Sequence, residues 1–145
     1  MKYLLATLLT LILRVHAANA EEESKIKSTP QRIECGDFSS VGFKDRDAFL
    51  KYLADLKAAK TDEDFAKLVT YPLRINRKPK LPLYIKDEAA FQQNFKEVFS
   101  DKVIDAIRKA EQKDNFCNYQ GMSVGNGTVW IDNKNNRTGI FVINQ

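Results

Sequence analysis

Apolar side chains recur at helical spacing through the first part of the chain and at every second residue after Phe116. Phe49, Leu50, Leu53 and Leu56 fall at i, i+1, i+4 and i+7, which predicts a helix with one buried stripe, capped by Asp45 or Asp47. Thr61-Asp-Glu-Asp64 is a capping-box signature, and Phe65, Leu68 and Val69 follow it on one face, so two antiparallel helices joined around Lys60 are expected. Val69, Tyr71, Leu73 and Ile75 then alternate as in a half-buried strand. Pro72 within that run removes a backbone donor and confines the stretch to a sheet edge or a bulge. Asp87 opens a further helix with Phe91, Phe95, Val98 and Phe99 on one stripe, and Ser100 opens another with Val103, Ile104, Ile107 and Ala110.

Beyond Phe116-Cys117 the period is two to the end. Tyr119 to Val124 and Thr128 to Asp132 read as strands joined at Gly125-Asn126-Gly127, three residues that all tolerate φ > 0. Asn133-Lys-Asn-Asn-Arg137 reads as a second turn, and Thr138 to Ile143 as the closing strand. Val129 and Ile131 share one strand face; Thr128, Trp130 and Asp132 share the other. The expected fold is α+β, with N-terminal helices packed on a curved antiparallel sheet formed mainly by a C-terminal β-meander. Asn126-Gly-Thr and Asn136-Arg-Thr match glycosylation acceptors but are better explained as turn chemistry.

The start of the chain changes the picture of where this domain works. Lys2, the apolar run Tyr3 to Leu13 and Ala18-Asn19-Ala20 predict a signal peptide over residues 1–20, cleaved after Ala20. Residues 21–44 read as an irregular arm and 45–145 as a single α+β domain. The expected address is periplasmic, with no membrane span after processing. Cleavage takes Lys2 and Arg14 from the 23 basic residues, leaving 21 against 19 acidic ones. The formal charge of +4 therefore comes partly from the leader, and a general nucleic-acid role loses its electrostatic support. Cys35 and Cys117, an even pair in an oxidising compartment, are expected to form a disulfide that staples the arm to the segment entering the sheet.

The residues Val69-Thr-Tyr-Pro-Leu73, Phe91 through Phe95 to Val98-Phe99-Ser100, and Gly121 to Ile131 carry a resemblance to the nuclear-transport-factor-two-like (cystatin-like) superfamily. The chain is similar in particular to small exported bacterial proteins of that type with no assigned function. The resemblance covers about Asp47 to Asn144 and implies helices packed into the concave side of a curved sheet. It also implies that a pocket can lie between helices and sheet, and that a buried Asp with a Tyr can transfer protons. Asp132 with Tyr119 or Tyr84 is the pair in this sequence that could imitate such a dyad.

The remaining chemistry is narrow. The one histidine, His16, lies in the leader, so Ser–His, Cys–His and His–metal constellations have no member in the mature chain. No phosphate loop or dinucleotide glycine pattern occurs, and no cofactor or metal is expected. Two features mark a candidate partner-binding surface: the basic stretch with Arg74, Arg77, Lys78 and Lys80, and Trp130, the sole tryptophan. A solvated loop and a core tryptophan are the plain structural readings of the same residues. The leading expectation is a non-catalytic binding protein, an inhibitor or immunity-type protein that blocks an envelope-targeting enzyme by protein–protein contact. A small-ligand carrier is the alternative, and an Asp/Tyr acid–base enzyme the third reading.

Overall fold

A computed structural model describes residues 35–145; the expected signal peptide and most of the expected arm lie outside the described residues. Capping fixes where the helices start. Asp45 accepts from the Ala48 amide at 2.9 Å and opens α1, Arg46–Ala58, which buries Phe49, Leu53 and Leu56. Thr61 and Asp64 form the reciprocal capping box of α2, Asp62–Ala66, a helix of five residues. Asp87 accepts from the Ala90 amide and opens α3, Glu88–Gln93. The expected continuation of that helix through Phe99 is broken at Asn94, whose side chain donates back to the Ala90 carbonyl at 2.7 Å; the short α4, Phe95–Val98, follows. Ser100 occupies the N-cap of α5, Asp101–Lys109, without a side-chain cap bond.

Six strands form one sheet: β1 Val69–Asn76, β2 Leu83–Ile85, β3 Phe116–Asn118, β4 Gly121–Val124, β5 Val129–Lys134 and β6 Arg137–Asn144, in the order β2-β1-β6-β5-β4-β3. The sheet is mixed and not the expected antiparallel one, because β1 runs parallel to β6 while every other pair is antiparallel. After β2 the chain crosses to the far edge and returns strand by strand, so β1 and the last strand lie side by side and run in the same direction. Pro72 lies where the β1–β6 register shifts and before β2 pairing begins at Leu73, so its missing donor falls in an irregularity of an interior strand.

The turns follow residue chemistry. Gly125, Asn126 and Gly127 have φ of 64°, 56° and 92°, and Asn135 and Asn136 have 54° and 61°, so both asparagines in the glycosylation-like motifs sit in left-handed turn positions. The second of these loops holds two residues only, between Lys134 and Arg137. The predicted strand from Tyr119 to Val124 begins only at Gly121, and a further strand, β3, precedes it. Tyr119 stands at the tip of a tight β3–β4 turn, 95% exposed, with the Asn118 side chain accepting from the Gln120 amide.

The buried residues of the helices and one face of the strands form a single core cluster. Phe91 packs against the rings of Tyr71, Phe95 and Phe99, and the Phe65 and Phe99 rings lie tilted with centroids 4.3 Å apart. From α1, the Tyr52 hydroxyl donates to the Leu68 carbonyl beside β1. Residues 38–43 belong to this core by packing: Val41 and Phe43 are buried, and Phe43 meets Phe49 and Tyr52. Cys35 is bridged to Cys117 with Cα atoms 5.2 Å apart, tying that segment to β3 as the sequence led us to expect.

Candidate functional site

Strand alternation sends the other half of the side chains to the opposite face, over which no described helix lies. Register aligns six of them in one row across the whole sheet. Tyr84 on β2 faces Arg74 on β1, Arg74 faces Val142 on β6, Val142 faces Trp130 on β5, Trp130 faces Ser123 on β4, and Ser123 faces Phe116 on β3. Six strands at about 4.8 Å spacing make this row roughly 24 Å long.

A bulge widens the row at its centre. Trp130 pairs with Val142 and Ile131 with Ile140, so Phe141 is an additional residue on β6. Such a bulge turns two consecutive side chains to the same side. Phe141 and Val142 accordingly line one groove of about 510 Å³ together with Arg74, Trp130, Tyr119 and Lys134. Asn76, Gln120 and Asn144 contribute amides at its margin.

The rings are held by their neighbours. Phe116 meets Trp130 edge-on at 90° with centroids 5.4 Å apart, although their strands are two apart. The two rings lean together over Ser123, which is fully buried and whose hydroxyl lacks a hydrogen-bond partner. Lys134 lies 5.0 Å from the centre of the Phe141 ring and pairs with Asp132 at 2.5 Å. At the other end the Asn76 side chain donates to Asn144, which donates to the Gly127 carbonyl, locking the groove margin to the β4–β5 turn.

The residues singled out from the sequence divide between this face and the rest of the molecule. Arg74 and Trp130 are brought together on it. Arg74 belongs to β1 and not to the basic loop in which the sequence grouped it. Its side chain is exposed and has no ion-pair or hydrogen-bond partner among the described residues. Trp130 is half-buried, on the uncovered side. Arg77 is engaged elsewhere: it ion-pairs with Glu97 and donates to the Leu81 carbonyl at 3.2 Å, anchoring the loop to α4. Lys78 and Lys80 are exposed in that loop, beyond the end of β1.

Tyr84, Tyr119, Phe116 and Phe141 are the members that sequence reasoning missed as binding residues. Alternation in Thr138–Ile143 puts Phe141 on the core side, and only the bulge reverses it.

Neither Tyr119 nor Tyr84, the partners considered from the sequence, is hydrogen-bonded to Asp132 among the described residues. Asp132 takes Lys134 and the Asn133 amide as partners, not a tyrosine. Tyr84 is on a strand three places away, about 14 Å across the sheet. The tyrosines with raised pKa lie elsewhere. Burial is the main cause in both: Tyr52 is driven well above its ordinary value, and Tyr71 is pushed up to about 12 with Glu88 adding to the effect. No cluster of three or more potential metal ligands occurs among the described residues, and none of their helices is long and apolar enough to cross a membrane.

The fold and this face together define an α+β domain with one sheet face closed by helices and the other presenting an aromatic, cationic groove. No family model matches the chain, and no curated protein or solved structure matches it either.

Proposed function

We propose that this chain is an exported, non-catalytic binding protein of the periplasm, an inhibitor or immunity-type protein that blocks an envelope-targeting enzyme by protein–protein contact. The observation that carries the reading is the aligned row Tyr84–Arg74–Val142–Trp130–Ser123–Phe116 on the uncovered face. Arginine, tryptophan and tyrosine are the residue types in which binding energy concentrates. Here arginine and tryptophan stand near the centre of the face, with tyrosines and amides toward its margin, the layout of a protein interface. The bridged Cys35–Cys117 pair supports an oxidising compartment. The order of elements, two helices, two strands, three more helices and a closing run of four strands, with helices packed on one side of the sheet, supports the resemblance to the nuclear-transport-factor-two-like superfamily.

The small-ligand carrier has less support. The space between helices and sheet, where the resemblance would put a pocket, is occupied by Phe65, Phe91 and Phe99, all but fully buried. The test is affinity capture from native envelope extract with the tagged chain, run beside the Trp130→Ala variant. An enzyme recovered by the first and lost by the second, and inhibited by one equivalent of the purified chain, bears the reading out. Recovery of the same proteins by both, or a captured enzyme that keeps full activity, overturns it.

A further inference from the structure

The uncovered face is asymmetric in charge. Asp132 is the one acidic residue in the six strands, and Lys134 neutralises it. Every helix carries at least one Asp or Glu. The strands are thus nearly free of acid, while the groove holds Arg74 unpaired, with Lys78 and Lys80 exposed beyond the end of the same strand. An unpaired guanidinium beside exposed aromatic surface presents a fixed fork of donors that matches a carboxylate in two-pronged fashion.

Resting on the reading given above, we infer that the groove takes an extended acidic segment of the partner protein. A carboxylate pairs with Arg74, and an adjacent apolar or aromatic side chain lies on Trp130 and Phe141. The carboxylate is recognised at Arg74 and not at Lys134, because Lys134 is already held between Asp132 and the Phe141 ring. The Gln120 amide stands at the margin, where it meets the main chain of such a segment, while Asn76 and Asn144 hold each other and the Gly127 carbonyl. Lys78 and Lys80 steer its approach, since peripheral charge acts mainly on the rate of encounter.

Trp130 is the sole tryptophan, so its emission reads the groove directly. The probe is a random glutamate–tyrosine copolymer, with tryptophan excited selectively. Glutamate homopolymer, lysine–tyrosine copolymer and polygalacturonate serve for comparison. The glutamate–tyrosine copolymer should shift Trp130 emission saturably and bind more tightly than the homopolymer. The lysine–tyrosine copolymer should produce no shift. Arg74→Glu should weaken binding at least about tenfold, with affinity in the parent chain falling as salt rises. Arg74→Gln should give an intermediate loss and covers the case in which the reversed charge disturbs folding, which thermal melts detect. No saturable shift, or an affinity within twofold of the parent in both variants, overturns the inference. Tighter binding of polygalacturonate overturns it in favour of an acidic glycan. A concentration-dependent shift without any probe, accompanied by a sedimenting dimer, overturns it in favour of a second copy on this face. A captured enzyme that binds the Arg74 variants at full strength removes the acidic segment and leaves the proposed function standing. Copolymer binding with no enzyme captured does the reverse.

Discussion

The same strands build two faces that differ in what covers them. On one, Leu73, Ile75, Met122, Val124, Val129, Ile131 and Ile143 are wholly buried against aromatic helix residues. On the other, Arg74, Trp130 and Val142 alternate with those residues position for position, yet remain half-buried or exposed. Both faces carry large apolar groups, so hydrophobicity alone does not say which is core. What separates them is the helical cover, the bulge at Phe141 and the near absence of acid from the strands. A face that is aromatic, aligned and unpaired costs solubility without adding core, and binding is the use we propose for it.

The largest effect that sharpens this contrast is on the bridge holding the covered side together. Replacing Cys35 and Cys117 with Ser releases the segment that supplies Val41 and Phe43 to the core. With the cysteines 82 positions apart, the chain-entropy model gives a loss of about 4.5 kcal/mol, measured by denaturant unfolding. Phe91→Ala, a fully buried ring, should cost about 3–5 kcal/mol. Trp130→Ala should cost less than about 2 kcal/mol while removing partner binding. Equal losses at the two aromatics would erase the distinction between the faces.

A smaller effect separates backbone from space in the β4–β5 turn. Gly127 has φ of 92° and nothing within 4 Å of an added Cβ, so Gly127→Val should lose about 1–2 kcal/mol through backbone strain alone. Thr128 is a poor control for it, since its hydroxyl donates to the Gly125 carbonyl at 2.7 Å and closes the turn; Gly36→Val, whose φ lies outside the left-handed region and which has open space around it, is the better one.

The smallest effects concern charge. Arg77→Ala should cost about 1 kcal/mol because it frees Glu97 and the Leu81 carbonyl, whereas Arg74→Ala should change stability by under about 0.5 kcal/mol. Both are read from thermal melts, and the reverse order would move the functional arginine to the loop. Asp64 is held below the ordinary carboxyl value of 3.8, chiefly by the Lys60 amide and then by Thr61. A lowered folded value means that this contribution is present above the unfolded pKa and lost as pH falls through the folded one. Asp64→Asn should therefore flatten the fall in stability below about pH 4, followed by acid titration of the melting temperature.

Much of the covered side was legible in the sequence because its signals are local. Asp45, Thr61, Asp64 and Asp87 cap where their spacing says they should, and the Phe91–Phe99 stripe is core. The glycine and asparagine turns follow from tolerance of positive φ. The uncovered side was legible only in pieces. Trp130 and Arg74 stood out by residue type, but their meeting depends on the parallel pairing of β1 with β6, a contact between residues some seventy positions apart. Strand β2 has three residues after Pro82, too few for a periodic signal, so Tyr84 could not be placed. Phe141 changes faces through a bulge that no local residue chemistry announces. Arg77 looked equivalent to its basic neighbours, and only the position of Glu97 on α4 distinguishes it.

The most direct test of the uncovered face as the partner-binding face is acrylamide quenching of Trp130 in the free chain and in the complex with the captured enzyme. Free, the emission should be quenched readily, as befits a half-buried ring on an open groove. Bound, quenching should fall to the level of a buried tryptophan. A ring already shielded in the free chain, or one equally accessible in the complex, would contradict the assignment.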